Sequence, residues 1–326
     1  MDISELGMGF ALGDSFDCNS HYFPLNHNDN WEASWGNRKI TRDLIRRIRD
    51  RGFQTVKLPV SWSEHLTHGA DGWKIEDWFI RRLREVVDMV LDEGMYCVIN
   101  VHHDTDWITN LLLGSDYIKG MFETLWRLIA GAFKGYPAKL LYESMNEVGF
   151  DEGNAHLHYE LNQIFCRTVR SVEGNSNRTL LVEGVYADPS STLRDFNPVD
   201  DDNYAIAVHF YTPTLFTLKD TPLIRYESVG DMVMNTLEDI ENLQKIRERY
   251  GVDVALTEFG CTRCNKTEEE VMAWYETVIG YCARYNIPAI MWDDGKEIKE
   301  AVSRNDGMKE LLGGFYGLLE RYARNR

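Results

Sequence analysis

Glu76-Asp-Trp-Phe-Ile-Arg-Arg-Leu83-Arg-Glu-Val86-Val87-Asp-Met-Val90-Leu91-Asp-Glu93-Gly94 runs without a break into Met95-Tyr-Cys-Val-Ile-Asn-Val101. In the first part Leu83, Val86, Val87, Val90 and Leu91 recur on one helical face, and Gly94 supplies a natural C-terminal stop. The second part is apolar on consecutive positions. A half-exposed hairpin strand alternates instead, so this run reads as a parallel strand buried on both faces. One helix feeding one doubly buried strand is the repeating unit of an α/β fold.

The unit recurs outward in both directions. Upstream lie Leu6 to Leu12 and Phe53-Gln-Thr-Val-Lys57-Leu-Pro59. Downstream lie Lys139 to Asn146, Arg178 to Glu183, Tyr204 to His209, Val252 to Glu258 and Ile287 to Trp292. Helical patterns fill the gaps at Thr41 to Arg51, Lys119 to Phe133, His156 to Val172, Met232 to Tyr250, Thr267 to Tyr285 and Gly307 to Tyr322. The connection from Glu183 to Tyr204 carries only a short helical segment near Ser191 to Phe196. Eight such rounds predict a closed (β/α)8 TIM barrel rather than an open sheet. No Gly-rich dinucleotide fingerprint follows the first strand, and no Pro/Ser-rich linker marks a second unit. Residues 1–326 are therefore expected to form a single domain with no separate module.

Composition narrows the function classes. The chain has 326 residues, 44% of them hydrophobic, enough for a large core. A formal net charge of −17 disfavours nucleic acid or an anionic membrane surface as partner. No apolar run reaches the ~20 residues of a membrane span, and the first residues lack a signal-peptide profile. The chain as it stands reads as cytoplasmic, or as secreted if a leader has been removed. Six scattered cysteines show no disulfide framework, and Cys261-Thr-Arg-Cys264 is a lone CxxC without partner ligands.

Barrel enzymes place their chemistry at the C-terminal ends of the strands. That rule selects Lys57, His102-His103-Asp104, Asn146-Glu147, His209 with Tyr211, Glu258 and Trp292. Glu147 and Glu258 each sit at the tip of an apolar run, where an acid is costly unless it does chemistry. Two carboxylates across one cleft match glycoside hydrolysis, and at about 5 Å apart they match its retaining form. Asn146 suits a hydrogen bond to a sugar hydroxyl. His102 and His209 suit hydroxyl contacts or tuning of the carboxylates. The Tyr211 hydroxyl suits a hydrogen bond to a catalytic oxygen, and Trp292 an apolar platform under a sugar ring. A metallohydrolase is the rival enzyme class, prompted by His102-His103-Asp104-Thr-Asp106. Adjacent histidines on an extended segment point to opposite faces, however, which opposes joint chelation.

The segments Gly52-Phe-Gln-Thr-Val-Lys57-Leu-Pro-Val-Ser-Trp62, Val98-Ile-Asn-Val-His102-His103-Asp104, Glu143-Ser-Met-Asn146-Glu147, His209-Phe-Tyr211-Thr-Pro213, Thr257-Glu258-Phe-Gly260 and Trp292-Asp-Asp-Gly295 occur in that order. Together they resemble the motif series of glycoside hydrolase family 5, the cellulase-type endoglucanases. Gly9-Phe-Ala-Leu-Gly-Asp14-Ser-Phe-Asp17 is similar to the family's opening motif. The resemblance implies a retaining endo-β-1,4-glucanase, without metal or organic cofactor. Its substrate would be a β-glucan polysaccharide or oligosaccharide such as cellulose, mixed-linkage glucan or xyloglucan. It also implies Glu258 as nucleophile and Glu147 as acid/base, with Lys57, His102, His103, Asn146, His209, Tyr211 and Trp292 in binding or supporting positions. Departures cluster at the same rim. Lys57 stands where the family usually has Arg, Val148 where Pro is common, Asp14 where Asn is typical and Met291 in place of a Trp. Lysine keeps the charge but loses the two-pronged geometry, so reduced turnover is expected. Trp31, Trp35, Trp62, Trp107 and Trp292 are candidates for stacking along the cleft. The rival readings are a sugar-binding barrel with little or no turnover and a related β-mannanase.

Overall fold

Eight short parallel strands close on themselves: β1 (Met8–Ala11), β2 (Thr55–Leu58), β3 (Tyr96–Asn100), β4 (Leu140–Glu143), β5 (Leu180–Glu183), β6 (Tyr204–Phe210), β7 (Val254–Phe259) and β8 (Ala289–Met291). The computed structural model describes residues 1–20, 31–70, 72–113 and 116–323. Each strand pairs in parallel with its neighbours in sequence, and β1 joins β8 to complete the barrel. All eight expected strands are present.

The side-chain period of two sorts each strand into an inner and an outer set. Ala11, Val98, Leu141, Leu181, Ala205, Ala207, Ala255 and Ile290 fill the barrel's interior, with Ile3 and Leu6 of the preceding 3-10 turn. Four of these residues are alanines. At Gly9 an added Cβ would lie 2.8 Å from Ile290, so a larger residue would overfill that layer. The outer set faces the helical ring in one continuous core.

The ring comprises α1 (Arg42–Asp50), α2 (Asp77–Asp92), α3 (Asp116–Ala132), α4 (Ala155–Ser171), α5 (Pro189–Asp195), α6 (Val229–Ile240), α7 (Asn242–Tyr250), α8 (Glu268–Arg284) and α9 (Phe315–Ala323), with shorter turns between them. Helix α2 buries Phe79, Leu83, Val86, Val87 and Val90, each worth about 1.5–3 kcal/mol when fully removed from water. It ends as expected, with Gly94 at a positive φ of 78°. Helix α8 begins with a complete capping box between Thr267 and Glu270.

Two expected helices differ. Met232 to Tyr250 divides at Glu241 into α6, which packs on α8, and α7, which packs on α5. The two halves follow different neighbours. The last pattern is helical only in α9. Before it, Val302–Ser303 pairs with Lys309–Glu310 as a small antiparallel ribbon. Gly307 and Gly314, at φ 65° and 84°, break the helix there. A second ribbon, Leu66–Gly69 with Gly72–Ile75, lies on the loop after β2. No helix of the described residues is long and apolar enough to cross a membrane.

Candidate active site

The strand ends bring the expected residues together. Lys57 points inward from β2 in the same layer as Ala11 and Val98. Glu143 and Glu183 follow the inward-facing Leu141 and Leu181 by two positions, as His209 follows Ala207 and Trp292 follows Ile290. Glu258 breaks this parity, because Ala255 would send Thr257 inward. The register corrects it. Val208 faces Leu256 but His209 faces Glu258, and on the other side Ala289 faces Leu256 but Met291 faces Phe259. One extra residue in β7 is a β-bulge, and it turns the glutamate toward the interior.

Glu258 is buried and held at both oxygens. Lys57 Nζ lies 3.0 Å from Oε1, and the Tyr211 hydroxyl donates to Oε2 at 3.0 Å. Lys57 is wholly buried and also contacts Glu143 Oε2 at 2.5 Å. Burial alone would discharge this lysine, but the Glu143 and Glu258 carboxylates outweigh it and hold its pKa above the ordinary value. Burial, with Glu258 beside it, pushes the Tyr211 phenol well above its usual range, so the hydroxyl stays a donor.

Glu147 differs, with its side chain 49% exposed. A carboxylate oxygen of Glu147, one of Glu258 and a ring nitrogen of His209 all lie within 4.8 Å of one another. His209 Nδ1 stands 2.9 Å from Glu147 and 3.4 Å from Glu258, bridging the two acids. Burial works to deprotonate His209, yet Glu258 and Glu147 outweigh it and hold the imidazole above its usual pKa. Burial raises the proton affinity of Glu147, but the His209 hydrogen bond and charge leave it below the ordinary glutamate value. Both directions favour a proton on His209 over one on Glu147. Asn146 is buried beside them, and its Oδ1 has no hydrogen-bond partner among the described residues.

The histidine pair differs from expectation. The chain turns at His103 instead of continuing extended, so both rings face Asp17, at 4.0 Å for His102 Nε2 and 3.6 Å for His103 Nε2. This spacing admits a metal, but the tautomer does not suit one. Asn100 Oδ1 accepts the Val60 N–H at 3.2 Å, which turns Nδ2 toward His102 Nδ1 at 3.0 Å. His102 Nδ1 is therefore an acceptor and Nε2 carries the proton, leaving no lone pair for an ion. Burial and the neighbouring His103 push its pKa far down, so the ring is a neutral donor. It stacks on Trp292, ring centroids 5.5 Å apart and 9° from parallel.

Among the tryptophans, Trp292 is half-buried at the rim, in keeping with a platform, and Trp35 is partly exposed beside His103. Trp107 is tied to Asp104 at 2.9 Å. Trp62 and Trp31 are not cleft residues. Trp62 is fully buried with its indole N–H on the Asn100 carbonyl, and Trp31 packs on Phe79. Asp104 binds the Trp62 and Ser63 amides and Asp293 pairs with Arg304, so both brace loops. Asp106 has no described side chain. Glu143, Glu183 and Asp17 are additional buried acids at the rim. Leu180-Leu-Val-Glu183 shows the same apolar run ending in an acid that singles out Glu147 and Glu258, so the signal was present in the sequence.

Known proteins match this chain over most of its length. The family model described as Cellulase (glycosyl hydrolase family 5) matches residues 15–297. Endoglucanase A of Ruminococcus albus is 30% identical over 313 residues, covering 90% of this chain and 83% of that protein. The chain spans less of some longer relatives: 64% of Endoglucanase B of Neocallimastix patriciarum, for example, at 29% identity over 90% of this chain. A GH5-4 broad-specificity endoglucanase from an uncultured bovine rumen ciliate superposes with TM-score 0.88 at 26% identity, covering 99% of this chain and 97% of that one. A xyloglucan-specific endo-β-1,4-glucanase from a metagenomic library, solved with cellotriose, gives 0.86 at 25% identity over 98% and 97%.

Proposed function

The chain belongs to glycoside hydrolase family 5, and from that premise we propose that it cleaves internal β-1,4 bonds of a glucan with retention, through Glu258 and Glu147. The observation that carries the assignment is the pair of carboxylates within 4.8 Å at the C-terminal rim, bridged by His209. Lys57 and Tyr211 occupy one oxygen each of Glu258, which supports reading it as the attacking carboxylate. Attack of Glu258 on the anomeric carbon breaks the glycosidic bond and forms a glycosyl ester. Glu147, open to the cleft, gives the leaving oxygen its proton. The His209–Glu147 pair keeps that proton close. A sugar closing over the site disfavours separated charges and returns the proton to Glu147. Glu147 then takes a proton from water as it attacks the ester, and Glu258 is freed.

The neutral His102 N–H and the Asn146 amide are candidate partners for sugar hydroxyls, and Trp292 offers a ring face beside His102. These contacts suit an uncharged β-linked oligosaccharide, and relatives named as endoglucanases support a glucan. Mixed-linkage β-glucan and xyloglucan are the substrates of first choice. The test is reducing-sugar release from both by the parent and its Glu258→Gln variant. Release by the parent, falling by at least about a thousandfold in the variant, is expected. A parent that binds either polysaccharide without cutting it would make this a sugar-binding barrel.

A further inference from the structure

Glu183 takes no part in the reaction as drawn, yet it is 1% exposed at the end of β5, inside the barrel. Burial and the neighbouring Glu143 raise its pKa well above the ordinary glutamate value, which favours the neutral acid, and its buried oxygens still need partners. Here the partners are the main chain of the acid/base segment. One oxygen accepts the N–H of Glu147, and the other accepts the N–H of Val148 at 3.3 Å. Glu147 lies at φ 53°, a left-handed conformation that a non-glycine residue keeps only where its surroundings hold it.

Neighbouring bonds tie the same two strand ends together. The Glu183 N–H donates to Ser144 Oγ at 3.0 Å, and Asn162 Nδ2 donates to the Glu183 carbonyl at 2.9 Å. The Tyr186 N–H donates to the Val148 carbonyl at 3.0 Å. Val148 stands where a proline is common in the family, and proline has no N–H. This chain therefore has an extra buried amide directly after its acid/base, and an acid placed to receive it.

We propose that Glu183 is a positioning residue for the acid/base, its two carboxyl oxygens gripping the 147 and 148 amides so that the Glu147 side chain is presented to the leaving oxygen. The proposal rests on the reading of Glu147 as the acid/base. It predicts a selective defect. A residue acting through the proton donor matters for a poor leaving group, and matters little when the leaving group needs no proton.

The experiment compares kcat/KM, which reports the glycosylation step, on soluble mixed-linkage β-glucan and on 2,4-dinitrophenyl β-cellobioside. The proteins are the parent, Glu183→Gln, Glu183→Ala and, as a control, Glu147→Gln. The ratio between the two substrates does not depend on how much of a variant is folded. The Glu183 variants are expected to lose at least about tenfold on the glucan while keeping the activated glycoside near parent values, with Ala worse than Gln. Equal losses on both substrates would make Glu183 a structural residue only, and no loss on either would remove its role. Should Glu147→Gln itself show no selective loss, the acid/base assignment fails first, and the proposal with it.

Discussion

At the scale of single residues, Lys57 is the departure with the clearest physical consequence. One Nζ serves two buried carboxylates, Glu143 at 2.5 Å and Glu258 at 3.0 Å. Lys57→Met would leave both acids without their cation, and breaking a buried pair in this way costs about 3–5 kcal/mol. The variant should unfold at lower denaturant concentration and lose at least about a hundredfold in kcat/KM. Lys57→Arg offers each carboxylate its own N–H and is expected to raise turnover. Urea titration and steady-state rates check both, and an Arg variant with no gain would show that lysine does not limit the site. The rim positions of Lys57, Glu147 and Glu258 were legible because each interrupts an apolar run. Glu183 followed the same pattern, but its use is in gripping amides of another strand end, which no single run encodes.

At the scale of elements, alternation along the strands accounts for most of the rim, and Ala207 to His209 or Ile290 to Trp292 is readable residue by residue. The bulge in β7 is not, because it exists only as a mismatch with β6 and β8. Nor does sequence separate Trp62 and Trp31 from Trp292. All are aromatic and follow barrel strands in sequence, and only the packing of α2 and Phe79 puts the first two in the core. The loop after β1 makes a testable contact with the platform. A Cβ on Gly13 would fall 2.3 Å from the Trp292 ring, while the Gly13 backbone needs no left-handed conformation. Gly13→Ala is therefore expected to displace the ring at a cost of about 1–3 kcal/mol. KM for cello-oligosaccharides should rise with kcat less affected, and an unchanged KM would remove Trp292 from the sugar-binding surface.

At the scale of the whole molecule, the barrel is what makes two distant glutamates a pair. Strand-helix periodicity was enough to foresee closure, since most strands are too apolar for an exposed face and the strands follow one another in sequence order. The ribbon at Val302–Ser303 and the divided α6–α7 region were not foreseen, because both arise from contacts between neighbours rather than from local pattern. No single sequence motif carries substrate choice. The central claim is a double displacement with Glu258 as nucleophile. The most direct measurement is to incubate the protein with 2-deoxy-2-fluoro-β-cellobiosyl fluoride, digest it and locate the trapped sugar by mass spectrometry. An ester on Glu258 is the predicted result. A sugar attached to Glu147 or any other residue, or an active enzyme that takes no label, would contradict it.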